Sequence, residues 1–282
     1  MSAVSIDTVT DVVIAALGKN GPITDRNRVI LTALIRHIHD FAREVKLQHD
    51  EFLFACDFLA RAGQLTDDKR QEFILLSDII GLEVLVDMLS HGAEEGASES
   101  TVLGPFYREN PPVLPKGATI SQMHFDNEET IYFEGHVRDT NGNPIEGVLV
   151  DVWEDAPNGL YENHDPNQPD YNLRGRLTTD ANGHYAFRAV LPVAYPIPDD
   201  HTAGELIRAM GHHPMRPSHM HFMLQKDGYK RLISQVFDSR DKYLENDSVF
   251  AVKESLIGTY TKAAPELEVD LQIAFDFTLS KA

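Results

Sequence analysis

The segment LEVDLQIAFDFTL, residues 267–279, decides the fold of this chain. Apolar side chains alternate with mostly polar ones along it, and successive residues of a strand point to opposite faces. The side chains that would share the apolar face are Leu267, Val269, Leu271, Ile273, Phe275, Phe277 and Leu279. This alternation is typical of a β-strand that lays one face against a core.

Shorter alternating runs precede this segment, with turn signals between them. TIYFEGHVRD, residues 130–139, places Ile131 and Phe133 on one face, and TNGNP follows it as a turn. GVLVDVWE (147–154) and HYAFRAVLP (184–192) have the composition of further strands. Several short strands separated by turns predict an antiparallel β-sandwich.

The first part of the chain has a helical period instead. Residues 24–46 repeat apolar side chains at close to 3.6 residues, with Thr24 or Asp25 as the cap of the helix. Residues 49–63 predict a second helix. Residues 66–89 predict a third, whose wide apolar stripe indicates burial between other elements.

Residues 96–120 are rich in glycine, proline and serine, and they connect the helical part of the sequence to the strand-forming part. The sequence therefore predicts an α+β protein. We expect a helical N-terminal and linker domain over residues 1–110, followed by an antiparallel β-sandwich domain over residues 111–282.

Composition excludes several classes of function. The 282 residues carry 25 Lys and Arg against 44 Asp and Glu, a net charge of −19. Such acidity argues against nucleic acid or an anionic membrane surface as a partner. Cys56 is the only cysteine, so an intramolecular disulfide and a cysteine-based zinc cluster are excluded. We find neither a signal-peptide pattern nor an apolar run of about 18 residues, and we expect a cytoplasmic protein.

The motif RPSHMHF, residues 216–222, points to chemistry. In a strand, His219 and His221 would share a face with Cα atoms roughly 6.5 Å apart, close enough for both imidazoles to bind one metal ion. The alternative is one core histidine and one surface histidine. His212 and His213, in a Gly- and Pro-bounded loop, are weaker candidates, and His184 follows a turn as a surface residue would.

Two histidines do not saturate a metal ion, and most carboxylates here stand in turn or capping contexts. Tyrosine becomes a ligand when a trivalent cation displaces the phenol proton, and hard oxygen anions with imidazole favour ferric iron. Tyr161 follows a loop that leaves a strand, and Tyr195 lies between prolines. By pattern alone, Tyr171 and Tyr185 are equally eligible.

Several motifs together resemble the intradiol ring-cleaving dioxygenases of the catechol type. They are LGPFY (103–107), GVLVDVWEDAPNGLY (147–161), LPVAYPIP (191–198), RPSHMHF (216–222) and the run through SQVFD (234–238). The resemblance implies one mononuclear non-haem Fe(III) per subunit, held by Tyr161, Tyr195, His219 and His221. It also implies that Tyr195 leaves the metal to act as a base. Arg216 would stabilise negative charge on the substrate, with Gln235 beside it.

The resemblance has further implications for partners and substrate. The substrates would be a small aromatic diol or triol and O2, and the helical half would form a homodimer that can hold a phospholipid. YPIPDD and GHHPMRPSHMHFML look closer to the hydroxyquinol (benzene-1,2,4-triol) branch than to plain catechol enzymes. The residues expected at the substrate are Leu75, Asp78, Val102, Leu103, Gly104, Pro105, Ile197 and Pro198.

Asp78 is the candidate partner of the extra hydroxyl, with helix packing as the alternative. The family's usual DGP after the second tyrosine is replaced by DHT at residues 200–202, a departure that bears on the local loop and the substrate. For Arg216, the alternative role is a plain salt bridge.

Other functions remain open at this stage. A catechol or chlorocatechol 1,2-dioxygenase would have the same iron site. The run GHVRDTNGNPIEGVLVDVWE also resembles non-enzymatic transthyretin-like modules, which lack the helical half. An Fe(II) oxygenase would need two histidines and a carboxylate.

Overall fold

The computed structural model describes residues 4–67, 70–91, 96–126 and 128–282. Contacts divide the chain into two compact units, residues 1–61 and residues 62–282. The helices of the described residues are α1 (Val9–Ala16), α2 (Asp25–Glu44), α3 (His49–Leu65), α4 (Glu72–Ile79), α5 (Leu82–His91) and α6 (His201–Ala209).

The strands confirm the predicted α+β class. They are β1 (Thr130–Asp139), β2 (Leu149–Trp153), β3 (Arg174–Thr178), β4 (His184–Val190), β5 (Tyr195–Pro196), β6 (Met215–Arg216), β7 (His219–Gln225), β8 (Leu232–Asp238), β9 (Ile257–Gly258), β10 (Thr261–Lys262), β11 (Leu271–Ala274) and β12 (Phe277–Leu279). The first sheet contains β1, β4 and β10 to β12, and the second has the order β3-β2-β7-β8-β9. β5 and β6 form a separate pair.

The main core lies between the two sheets. Phe133 of β1 stacks on Phe187 of β4 with ring centroids 5.3 Å apart, and it meets Phe222 of β7 at 5.0 Å. All three side chains are fully buried. Because burial of a phenylalanine contributes about 1.5–3 kcal/mol, this aromatic cluster is a large part of what holds the sandwich together.

The strand pairing is mixed, which corrects the expectation of purely antiparallel sheets. β11 and β12 run parallel to successive stretches of β1, and β9 runs parallel to β8. Only a tight hairpin forces two strands to be antiparallel. β11 and β12 reach β1 after the chain has built the whole second sheet, so their direction is free of that constraint.

The segment 267–279 forms two short strands where a single strand was predicted. The break lies opposite Gly135, where a Cβ atom would overlap the carbonyl oxygen of Phe275. That carbonyl accepts a hydrogen bond from the Tyr185 hydroxyl at 2.7 Å, and Asp276 accepts one from the His136 amide at 2.7 Å. Side-chain hydrogen bonds therefore replace the ladder at this point. The predicted apolar face is buried at Ile273, Phe277 and Leu279, whereas the start of the segment is no strand, because Leu267 ends a 3-10 turn.

The predicted helix over residues 66–89 is also divided. α4 ends at Ile79, and Gly81, with φ of 69°, turns the chain before α5 begins. Its amide donates to the carbonyl of Asp78 at 2.9 Å, a helix-ending turn that favours glycine. The expected burial holds for one face only, since Leu75 is buried while Phe73 and Leu85 are about half exposed.

In the first unit, Thr24 caps α2 as predicted, because its hydroxyl oxygen accepts a hydrogen bond from the Asn27 amide at 3.1 Å. The apolar stripe of α2 is 46–55% exposed. Its residues are Ile30, Leu34, Ile38, Phe41 and Val45. The boundary predicted at residue 110 stays a prediction. Among the described residues, no helix is long and apolar enough to cross a lipid bilayer.

Candidate metal centre

The two histidines of RPSHMHF lie on one face of β7, a central strand of the second sheet. Their Nε2 atoms are 3.1 Å apart, and both side chains are at most 1% exposed. Across the pair with β2, His221 lies opposite Trp153, and the two rings stack at 4.8 Å with an angle of 8°. His221 Nδ1 has no hydrogen-bond partner among the described residues, so the stacking fixes this ring.

His219 is fixed differently. Its Nδ1 atom lies 2.7 Å from the carbonyl oxygen of Pro217, to which it donates, and Nε2 therefore presents a lone pair. Arg216 Nη1 lies 3.0 Å from this Nε2. The tautomer of a metal-binding histidine is commonly set by such a carbonyl.

Two tyrosines pack against these histidines: the ring centroids of Tyr195 and His219 are 5.6 Å apart, and those of Tyr161 and His221 are 6.3 Å apart. Tyr161 follows the turn that leaves β2, where the Ala156 amide donates to Leu160, and its ring stacks on Phe106 at 4.5 Å. Tyr195 is held in β5, opposite Arg216 of β6. The two hydroxyl oxygens are 3.5 Å apart, and both residues are at most 3% exposed.

These four residues, Tyr161, Tyr195, His219 and His221, are called the Tyr–His cluster below. Burial, followed by the influence of Arg216, lowers the pKa of His219 well below its usual value, and burial raises the pKa of Tyr161 well above its own. The protein alone therefore keeps these donors neutral. A buried set of imidazole lone pairs and phenols that converge on one point fits a cation, whose charge would remove the phenol protons.

Arg216 is a buried cation beside the cluster. Its Nε and Nη2 atoms donate to the two carboxylate oxygens of Asp247 at 3.1 and 3.2 Å. Nη2 also donates to Gln235 Oε1 at 2.8 Å, and Gln235 Nε2 donates to the Val102 carbonyl at 2.8 Å. Burial by itself would lower the pKa of Arg216, but Asp247 raises it, so the guanidinium stays charged. Arg216 therefore forms a salt bridge with Asp247 and also lies beside the Tyr–His cluster, so the two roles expected for it do not exclude each other.

The residues expected at the substrate lie around the cluster. Leu75 of α4, Val102 and Ile197 are buried in one apolar cluster with the two tyrosines. Gly104, with φ of 73°, approaches His221 so closely that a Cβ atom would lie 3.3 Å from the imidazole Cε1. The half-buried members of the predicted set are Leu103, Gly104, Pro105 and Pro198.

Asp78 of α4 is 3% exposed, and its Oδ1 atom has no hydrogen-bond partner among the described residues. Burial, and then a hydrogen bond with Glu83, raises the pKa of Asp78 to about 9. Arg216 lies close enough to oppose this shift. At neutral pH, Asp78 is thus a neutral carboxylic acid near Arg216, able to donate as well as accept a hydrogen bond.

The other candidates lie elsewhere. Tyr171 donates to the Glu109 carbonyl at 2.9 Å, and the Tyr185 hydroxyl caps Phe275 in the sandwich core. His212 and His213 pack against Phe250 and Tyr243, and His184 pairs with Glu134 at 3.1 Å. Across the described ranges, no group of three or more His, Cys, Asp or Glu side chains could hold a metal ion. A site of two histidines and one carboxylate is therefore not found there.

Sequence reasoning did not identify three residues that shape this site. Asp247 neutralises Arg216, Phe106 stacks on Tyr161, and Glu83 contacts Asp78. Phe106 stands in the quoted LGPFY, so this motif was the available signal for it. Asp247 lies 31 residues from Arg216 in a polar loop, and no local pattern marks it.

Both parts of the chain match known protein families. Residues 24–98 match the family model described as catechol dioxygenase N terminus, and residues 102–281 match the model described as dioxygenase. A catechol 1,2-dioxygenase of Candida albicans is 41% identical over 90% of this chain and 84% of its own length. A hydroxyquinol 1,2-dioxygenase of a Rhizobium species is 41% identical over 84% of this chain and 80% of its own.

Among solved structures, a hydroxyquinol 1,2-dioxygenase of Pseudomonas putida is similar to this chain, with a TM-score of 0.90 at 36% identity. The match covers 98% of this chain and 99% of that one. The likeness therefore includes both the helical part and the sheets that carry the Tyr–His cluster.

The raised pKa of Asp78 predicts a pH-dependent stability. Between the ordinary pKa of 3.8 and about 9, the folded chain holds a proton on Asp78 that the unfolded chain has lost. This difference in proton binding therefore lowers the free energy of unfolding as the pH rises through that range. Asp78→Asn keeps a donor and removes the titration, so its gain over the wild type should grow with pH between these values, by at most about 1.4 kcal/mol per pH unit.

Urea unfolding at several pH values would measure this gain. Asp57→Asn, at a carboxylate that is 68% exposed, is the matched control and should show no such trend. A stability difference between Asp78→Asn and wild type that is constant across pH would contradict the neutral state of Asp78.

Proposed function

The chain belongs to the intradiol ring-cleavage dioxygenase family, and we propose that its substrate is hydroxyquinol. O2 would cleave the ring between the two adjacent hydroxyl-bearing carbons, and both oxygen atoms would end in a muconate-type dicarboxylate (3-hydroxy-cis,cis-muconate, or its tautomer maleylacetate). The observation that carries the cleavage chemistry is the packing of two buried phenols, with hydroxyl oxygens 3.5 Å apart, against two buried imidazoles, with Nε2 atoms 3.1 Å apart. A transthyretin-like binding module would not require such a cluster.

We propose that Tyr161, Tyr195, His219 and His221 hold one Fe(III) per subunit. Phenolate oxygens are hard ligands that suit a trivalent ion, and imidazole completes the set. When bound, ferric iron supplies Lewis-acid activation of the chelated diol toward O2. The tautomer of His219, fixed by Pro217, leaves the lone pair on Nε2, where a metal ion would replace Arg216 Nη1 as its partner.

Tyr195 is the tyrosine that we assign as the base for a substrate hydroxyl. Burial raises the pKa of both phenols, but for Tyr195 the nearby Arg216 opposes the shift, followed by the hydrogen bond with Tyr161. Tyr195 is therefore the easier of the two to hold as a phenolate. It also lies on the short β5–β6 pair rather than in a large sheet.

Arg216 would stabilise the negative charge that develops on the substrate as both hydroxyl protons leave. Its guanidinium is already oriented by Asp247 and Gln235, so little reorganisation is needed when charge appears. Gln235 acts by fixing Arg216 and by anchoring the Val102 carbonyl at the pocket wall.

The choice of hydroxyquinol over catechol depends on Asp78. Relatives that act on hydroxyquinol and on catechol are equally similar to this chain, at 41% identity, so similarity does not decide between them. A buried polar group that pairs with the third hydroxyl disfavours a ring that lacks this hydroxyl, because the group is then left unpaired. Asp78, buried with Oδ1 unpaired, has this character.

The substrate assignment is tested by steady-state kinetics with hydroxyquinol, catechol and chlorocatechol, followed by O2 uptake and product absorbance. We expect kcat/KM for hydroxyquinol to exceed that for catechol by about 100-fold or more. Asp78→Leu should lose about 100-fold with hydroxyquinol and change little with catechol. Faster cleavage of catechol or chlorocatechol by the wild type would favour the alternative dioxygenases.

The metal assignment is tested by visible absorption after reconstitution with ferric iron. A broad band from phenolate-to-iron charge transfer is expected, together with one bound iron per chain. Tyr161→Phe and Tyr195→Phe should each weaken the band and lower iron affinity by more than the about 10–100-fold typical of lost supporting contacts. Tyr185→Phe removes an equally buried phenol outside the cluster, so this variant should keep the absorption band and the iron affinity of the wild type. A protein that stays colourless would refute the assignment.

We also propose that the exposed apolar stripe of α2 is covered in a homodimer, with room for a phospholipid. A continuous stripe of this kind is unusual on a monomer surface. In sedimentation equilibrium, the wild type should have twice the chain mass and Leu34→Glu/Ile38→Glu should be monomeric. Arg36→Glu, with the same change of charge on the side of α2 away from the stripe, should remain dimeric. A monomeric wild type would exclude the dimer.

A cytoplasmic location stays a prediction.

A further inference from the structure

A buried carboxylate ties α4 to the segment that follows Tyr195. Glu72, the first residue of α4, is 0% exposed. Its Oε1 atom accepts hydrogen bonds from the Thr202 hydroxyl and, at 2.9 Å, from the Ala203 amide, 130 and 131 residues further along the chain. Its Oε2 atom accepts one from Arg70 Nε at 2.7 Å. These contacts are called the Glu72 anchor.

The anchor replaces the usual cap of α6. Asp200 is the N-cap residue of this helix, yet its side chain makes no capping hydrogen bond. Instead, both of its carboxylate oxygens accept from Arg70, at 2.9 and 3.1 Å. The free amide at the start of α6 is satisfied by Glu72, whose charge suits the positive end of a helix dipole.

The DHT sequence at residues 200–202 fits this arrangement. His201 has φ of 53°, in the left-handed region that glycine adopts most easily. Thr202 supplies the hydroxyl that Glu72 accepts, which proline at this position would lack. The departure from the family's usual DGP thus adds a direct bond to α4 and retains the sharp turn.

The two elements that the anchor joins each carry residues that are proposed above to line the substrate pocket. Leu75 and Asp78 follow Glu72 at one and two turns of α4. Ile197 precedes Thr202, and the two segments meet in one apolar cluster that includes Leu75, Ile197 and Ala203. The Glu72 anchor therefore sets how far α4 lies from the segment that carries Ile197.

We propose that Glu72 is a positioning residue that fixes the width of the substrate pocket and so selects among ring-substituted catechols. This inference rests on the function proposed above and names a determinant of its specificity. The hydrogen bonds of Glu72 are with Arg70, Thr202 and Ala203 rather than with the Tyr–His cluster. Burial alone would raise the pKa of Glu72, but the hydrogen bonds from Arg70, Thr202 and Ala203 lower it, so the anchor is charged at neutral pH.

The test is a comparison of Thr202→Val, Thr202→Ser and Thr179→Val in the full-length, iron-loaded protein. Thr202→Val removes one hydroxyl from the anchor and keeps the side-chain shape. Thr179→Val is the matched control, since Thr179 is also buried, with its hydroxyl donating to the Ile145 carbonyl at 2.7 Å. Thermal unfolding of each variant measures the loss of stability that the two valine variants share.

We expect Thr202→Val to raise KM for hydroxyquinol by about 10-fold, with kcat changed much less. The ratio of kcat/KM for hydroxyquinol to kcat/KM for catechol should therefore fall. Thr202→Ser should restore KM, and Thr179→Val should leave it unchanged. Hydrogen–deuterium exchange should show faster exchange of the α6 amides in Thr202→Val only.

The outcomes separate the anchor from the function. A wild type that cleaves none of the diols overturns the proposed function itself. A wild type that cleaves hydroxyquinol, with Thr202→Val at wild-type KM and specificity, overturns only the positioning role, even if α6 exchanges faster. Equal changes of KM in Thr202→Val and Thr179→Val would also overturn it, because the effect would then be a general loss of stability.

Discussion

The burial of one guanidinium constrains the whole centre. A charge removed from water must be paired and fully hydrogen-bonded, or the fold loses several kcal/mol. Arg216 meets this demand with Asp247, Gln235 and His219, which lie on a loop and two strands. Gln235 then fixes the Val102 carbonyl. The hydrogen bonds of Arg216 therefore fix His219 of the Tyr–His cluster and, through Gln235, the backbone at Val102.

Chemistry and selectivity occupy different parts of the second unit. The imidazoles lie on β7, a strand paired on both sides, and Trp153 of β2 locks one of them by stacking. The residues expected to recognise the substrate lie on α4 and on the segment after Tyr195, outside the large sheets. A rigid sheet suits ligands that must keep their geometry, whereas helix and loop positions can change between relatives without disturbing it.

The sequence predicted local features better than long-range ones. Alternation in HMHFML was enough to place His219 and His221 on one face, because a strand fixes that geometry locally. Tyr161 and Tyr195 were found by resemblance, since spacing alone ranked Tyr171 equally. Contacts such as Glu72 to Thr202, 130 residues apart, leave no periodic signal. The division of 267–279 likewise depends on Gly135, a residue on another strand.

The parallel pairing of β1 with β11 and β12 has a consequence for biosynthesis. Thr130 and Asp270 are hydrogen-bonded across 140 residues, so β1 leaves the ribosome long before the partners on that edge exist. The strands of the second sheet, which carry the imidazoles, are all translated in between. We expect the nascent chain to assemble the ligand-bearing sheet first and to expose an open edge of β1 meanwhile. Limited proteolysis of ribosome-bound nascent chains of increasing length would show which sheet becomes protected first.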